Sequence, residues 1–142
     1  MILIDANLLL YAYDPRAAQH EASRVWLEAA LSGSPLVRFA WLTLWAFLRI
    51  STNPRVFEYP LSMAEAERIV SSWLAQPAAG LLEPGERHWE ILRGLTQSGQ
   101  TSGPLVMDAA LAAIAIEHGA TLYTTDRDFA RFSGLTWTNP LP

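Results

Sequence analysis

The 142-residue sequence contains no cysteine and no lysine. Without cysteine there is neither a disulfide framework nor a thiolate zinc site, and nothing points to an oxidising compartment. Without lysine, every mechanism that needs a lysine is closed, and all ten basic residues are arginine. No apolar run approaches the roughly 20 residues of a membrane span. Neither G-x-G-x-x-G nor G-K-[ST] occurs, which removes the usual phosphate-cradling loops of dinucleotide binding and nucleotide-triphosphate hydrolysis. There are no repeats and no low-complexity tracts. Met1 leads directly into Ile2-Leu3-Ile4 with no basic leader, so the expectation is a soluble, unprocessed, cytoplasmic chain. With 51% apolar residues the length suffices for one hydrophobic core, and residues 1–142 are read as a single globular domain.

What is present alternates short strands with helices. Met1 to Ile4 reads as a buried strand that ends at Asp5 and turns into a helix through Leu8-Leu9-Leu10-Tyr11. Apolar residues at helical spacing predict a second helix from about Arg16 to Leu31. Val37 to Ala40 reads as a strand, and Trp41 to Ile50, apolar nearly all round, as a buried helix that stops before Asn53-Pro54. Ser62 with Glu65 fits a capping box, opening a helix that carries Met63, Ala66, Ile69, Val70, Trp73 and Leu74 on one face and is closed by Pro77. Gly80 to Glu83 reads as a strand, Glu86 to Gln97 as a helix, and Ser98 to Gly103 as a mobile loop. Leu105 to His118 reads as a helix ended by Gly119, Thr121 to Thr124 as a strand, Asp126 to Phe132 as a short helix and Leu135 to Trp137 as a last strand. This pattern implies a three-layer α/β sandwich with a short, mostly parallel central sheet. Ligands bind such sheets beyond the carboxyl ends of the strands, and both Asp5 and Asp126 follow predicted strands.

The chain has only five aspartates, and Asp5, Asp108, Asp126 and Asp128 occupy strand ends or first helical turns. Leu111, Ala112 and Ala115 follow Asp108 at three, four and seven residues, which puts that carboxylate on an inward face. An unpaired inward charge is costly or becomes protonated, and no lysine exists to pair with it. A divalent cation resolves the conflict. Magnesium or manganese suits carboxylate and water oxygens, whereas zinc lacks cysteine and any histidine pair at ligand spacing. A metal so held lowers the pKa of bound water and steadies the charge on a phosphodiester under attack. The net charge of -4 runs against a nucleic-acid partner, but with these four aspartates set aside ten arginines balance ten acids.

Each residue also has a plainer reading. Asp5, Asp126 and Asp128 fit helix caps, worth about 1 kcal/mol. Asp108 could pair with Arg49 in a structural salt bridge. Asn7 could orient Asp5 or a phosphate, or cap the first helix, and Arg127 could meet a phosphate or lie in solvent. His20, His88 and His118 read as structural, the six tryptophans as core or interface, and Asp14 before Pro15 as a turn residue.

Three segments together carry a family resemblance: Ile2-Leu3-Ile4-Asp5-Ala6-Asn7, Met107-Asp108-Ala109-Ala110-Leu111-Ala112, and Gly119 through Thr125-Asp126-Arg127-Asp128-Phe129. In order and spacing over the whole chain they resemble the PIN-domain family, specifically the VapC-type toxins of bacterial toxin–antitoxin pairs. The resemblance implies a magnesium- or manganese-dependent endoribonuclease, usually a homodimer, neutralised by a small VapB-type antitoxin. By position it makes Asp5 and Asp108 the principal metal ligands, Asp126 a third acidic residue and metal ligand, and Asp128 a fourth catalytic residue. Thr125 matches a position where such proteins often carry a hydroxyl. The sequence departs from the pattern at Thr43 to Arg49, where many PIN domains carry a glutamate and this chain has no acidic residue.

A haloacid-dehalogenase-type phosphatase or a receiver domain would also place an aspartate after the first strand, but both normally need a lysine. The reading from a different class is a PIN-fold binding module that has lost catalysis, motivated by the missing helix glutamate.

Overall fold

A computed structural model describes residues 1–142. β1 (Ile2–Ile4) is followed by α1 (Ala6–Ala12), α2 (His20–Ser32), β2 (Val37–Ala40), α3 (Trp41–Ser51), α4 (Met63–Leu74), β3 (Ala79–Leu82), α5 (His88–Ser98), α6 (Leu105–His118), β4 (Thr121–Tyr123), a 3-10 turn (Arg127–Arg131) and β5 (Trp137–Thr138). The five strands form one sheet in the order β3-β2-β1-β4-β5, and every pairing is parallel.

Strand alternation divides the apolar side chains between two cores. Leu3 and Leu122 point into the core shared with α5 and α6. Ile2, Ile4, Val37 and Phe39 point into the other, which α1 to α4 cover with Leu8, Leu9, Leu44, Phe47 and Trp73. The result is the three-layer α/β sandwich that the alternation of elements implies. Strand order reverses between β1 and β4, so their carboxyl ends open the crevice where such sheets take ligands.

The expected capping box at the start of α4 is formed. The Ser62 N–H donates to Glu65 Oε1 at 3.0 Å and the Glu65 N–H to Ser62 Oγ at 3.1 Å. Gly119 ends α6 in the left-handed conformation at φ 67°, where a side chain would be strained. No helix is long and apolar enough to cross a membrane.

Some boundaries shift by a residue or two, and four differences have a physical reason. α2 begins at His20 rather than Arg16, because the Arg16 N–H donates to Asp14 Oδ1 and the chain turns there instead. The segment from Asp126 closes as a 3-10 turn anchored by buried Phe129 and Phe132. β5 starts at Trp137, since Gly134, at φ 86°, and Leu135 still belong to the connection. α3 is not buried all round: Trp41 is 38% exposed and Trp45 61%. Trp41, Trp45 and Arg49 recur every four residues along the most exposed side of α3.

Candidate active site

Asp5 sits where β1 ends. Its N–H still donates to Tyr123 O at 3.0 Å, continuing the ladder with β4, while its side chain turns back as the N-cap of α1. Oδ1 accepts from the Ala6 N–H at 2.7 Å and Oδ2 accepts from Thr124 Oγ1 at 2.7 Å. Thr124 is wholly buried and acts as the hub of the crevice. Its hydroxyl also accepts from the Asp126 N–H at 3.0 Å and from Asn7 Nδ2 at 3.3 Å, which fills its hydrogen-bonding capacity.

Asp126 caps the 3-10 turn, its Oδ1 accepting from the Asp128 N–H at 2.9 Å. Asp128 is exposed at the rim. Asp108 enters from the first turn of α6, partly buried above Leu111, Ala112 and Ala115. The cap readings of Asp5 and Asp126 are therefore satisfied by the same side chains that face the crevice.

The charges of the other three carboxylates all reach Asp108. Asp108 is pushed up to about 6, first by burial and then by the charges of Asp5, Asp126 and Asp128, with Arg131 opposing. Burial likewise raises Asp5, against the hydrogen bonds from Thr124 and Ala6, and Asp126 adds to the rise. No ion pair reaches any of them, because the three salt bridges of the protein lie elsewhere on its surface. Arg49 borders the crevice but does not pair with Asp108.

Asp5 and Asp108 face each other across a groove of about 520 Å3 whose α3 wall presents Thr43, Trp45, Ala46 and Arg49. No glutamate lines this groove, so nothing there replaces the absent helix glutamate. Two oxygens beside the carboxylates, Asn7 Oδ1 and Thr43 Oγ1, are buried without a protein partner. Such atoms can hold water or a ligand, and four more buried polar atoms of the protein, Ser23 Oγ, Ser51 Oγ, His88 Nδ1 and Thr101 Oγ1, share that state, so the pair alone does not mark an ion site. The donor set of hard oxygens fits magnesium or manganese. As the side chains stand, no three of the acidic or histidine groups are arranged around one point to hold an ion.

The resemblance draws attention to the Thr125 hydroxyl, and the hydroxyl that bonds Asp5 and the Asp126 N–H is that of its neighbour Thr124. The strand period locates it: Leu122 and Thr124 share the buried face of β4 and its extension, and Thr125 falls on the other. Thr43 and Trp45 as groove residues were not evident from sequence. Two histidines are structural, His20 Nδ1 lying against Tyr11 O at 2.9 Å and His118 Nε2 against Glu83 O at 2.7 Å, whereas His88 Nδ1 is buried without a partner.

With this geometry in hand, comparison with known proteins gives a consistent result. The PIN domain family model matches residues 2–135. A curated relative, ribonuclease VapC37 of Mycobacterium tuberculosis, is 46% identical over 141 residues, covering 99% of this chain and 97% of its own. Among solved structures, VapBC2 from Rickettsia felis bound to a promoter DNA fragment superposes with a TM-score of 0.68 at 19% identity, covering 98% of each chain. VapC20 of Mycobacterium tuberculosis, described as a sarcin-ricin loop cleaving toxin, gives 0.65 at 17% identity over 96% of this chain and 99% of its own. The family match and the VapC37 identity, each spanning nearly the whole chain, place this protein in the PIN-domain family, among its VapC members.

Proposed function

We propose that the protein is a VapC-type toxin that hydrolyses RNA phosphodiester bonds as a magnesium- or manganese-dependent endoribonuclease. The observation that carries this reading is the gathering of Asp5, Asp108 and the Asp126 turn at the sheet's switch point with no basic partner in contact, where burial first and the neighbouring carboxylates second raise Asp108 to about 6. A site of that kind gains most from a divalent cation.

Asp5 and Asp108 are the ligands this reading assigns, with Asp126 closing as a third carboxylate. When bound, the ion supplies Lewis acidity, lowering the pKa of water and screening the charge that develops on the phosphodiester. Thr124 fixes Asp5 through its hydroxyl and fixes the Asp126 backbone in the same stroke, so two carboxylates from different strands keep one spacing. Asn7 steadies Thr124 from the first turn of α1. Asp128, exposed at the rim, accepts a proton or orients water. Substrate enters along the groove between α3 and α6, where Arg49 meets a flanking phosphate.

The names of the relatives support the substrate class, and the VapBC complex among the structural neighbours supports a small VapB-type antitoxin as partner. Exposed apolar residues away from the groove, Trp89 on α5 and Val106 on α6, support self-association as a homodimer. The test is incubation of purified, antitoxin-free protein with structured RNA in magnesium or manganese, beside an Asp5→Asn/Asp108→Asn double variant. Cleavage by the wild type alone is expected. Equal cleavage by both removes the site assignment. Absence of metal-dependent cleavage across a broad RNA panel favours the second reading, a PIN-fold binding module, which the glutamate-free groove motivates.

A further inference from the structure

The exposed stripe of α3 carries a consequence for how the substrate is held. Trp45 is 61% exposed, and unlike the still more exposed Trp89 it lines the same groove as Asp5 and Asp108. It also borders a second groove beyond the ridge, whose wall includes Trp41 and Leu82. The two indoles lie nearly parallel, at 21° with ring centroids 6.5 Å apart, and Trp41 is tethered through Nε1, which donates to Glu83 Oε1 at 3.3 Å. One turn further along α3, Arg49 is exposed and free of any ion pair.

We propose that Trp45 is a stacking platform for an unpaired base of single-stranded RNA adjoining the phosphate at Asp5 and Asp108, with Trp41 continuing the platform and Arg49 contacting a neighbouring phosphate. This rests on the ribonuclease reading above and adds the form in which RNA is bound. Aromatic faces take any base, and a duplex keeps its bases stacked inside, so the platform selects unpaired segments rather than a particular sequence. The charge pattern agrees. The groove joins an indole and a guanidinium beside the carboxylates, which matches a base and a neighbouring phosphate next to the bond to be cut. An apolar protein helix would leave Arg49 unanswered.

The test is binding of a fluorescein-labelled single-stranded hexaribonucleotide of mixed sequence, followed by anisotropy. It uses full-length Asp5→Asn protein, so that the RNA stays intact, with and without Trp45→Ala or Trp45→Phe. Trp45→Ala is expected to weaken binding by about tenfold or more, and Trp45→Phe by much less, since it keeps an aromatic face. In the otherwise wild-type enzyme the loss falls on KM rather than kcat. A duplex of the same sequence should bind more weakly and ignore the substitution. Unchanged affinity in Trp45→Ala overturns the platform, as does failure of the oligonucleotide to bind at all. An affinity loss that accompanies conversion of a dimer to a monomer in sedimentation also overturns it, by assigning Trp45 to an interface between copies. If the wild type cleaves no RNA yet binding still depends on Trp45, the nuclease reading falls and the platform stands.

Discussion

Replacing Asp108 by asparagine should make the metal-free protein more stable. A carboxyl held at about 6 in the fold against 3.8 in the free side chain prefers its neutral form. If fully realised, ionising it in the fold costs about 3 kcal/mol at neutral pH. Asp108 is only partly buried, and solvent screening reduces the realised cost to about 1 kcal/mol. Asparagine keeps the shape and removes the charge, so Asp108→Asn should melt about 3 °C higher in a chain of this size. The sign with pH is fixed by the direction of the shift. The penalty is fully present above about 6 and disappears as pH falls toward 3.8, so the two proteins should converge in acid. Thermal melts in chelator at pH 7.5 and pH 4.5 measure both quantities. An Asp108→Asn protein no more stable than wild type at pH 7.5, or an advantage that persists unchanged at pH 4.5, refutes the reasoning. Added magnesium should reverse the ranking by stabilising the wild type alone.

Thr124→Val removes the hydroxyl from three partners at once, leaving Asp5 Oδ2, the Asp126 N–H and Asn7 Nδ2 without it. It should cost about 2–4 kcal/mol in urea unfolding, and Thr124→Ser should restore most of the loss. Metal binding requires Asp108 to shed its proton, so the affinity for manganese in calorimetry should tighten between pH 5 and pH 7; a flat profile would exclude Asp108 as a ligand. Ser62→Ala breaks the capping box of α4 and should lower stability by about 1 kcal/mol without affecting metal binding, checked by circular dichroism melts.

The layers of the fold were legible because each strand is short, apolar and bounded by turn chemistry, and because α4 and α6 announce their ends through Ser62, Glu65 and Gly119. The placement of Asp5 and Asp126 at one edge of the sheet followed from their position after strands. The surroundings of these aspartates were less legible. Thr124 serves the site only because β4 and β1 are neighbours, a long-range pairing that no local pattern encodes. α3 misled in a different way, since a helix apolar all round satisfies the periodicity of a buried element. Only the three-dimensional packing reveals that Trp45 is largely exposed and Trp41 partly so. The 3-10 turn from Arg127 to Arg131 is set by burial of Phe129 and Phe132 against α5 and α6, again a tertiary effect.

The fold tolerates mutual repulsion among four carboxylates at its ligand edge, a cost to stability that is understandable where those groups serve a cation. The most direct test is a crystal structure of the wild-type protein grown with manganese, read by anomalous scattering. An anomalous peak is expected beside the carboxylates of Asp5 and Asp108, and none there in Asp5→Asn/Asp108→Asn crystals. A peak bound elsewhere with this pair unoccupied, or one that survives the double substitution, would contradict the assignment.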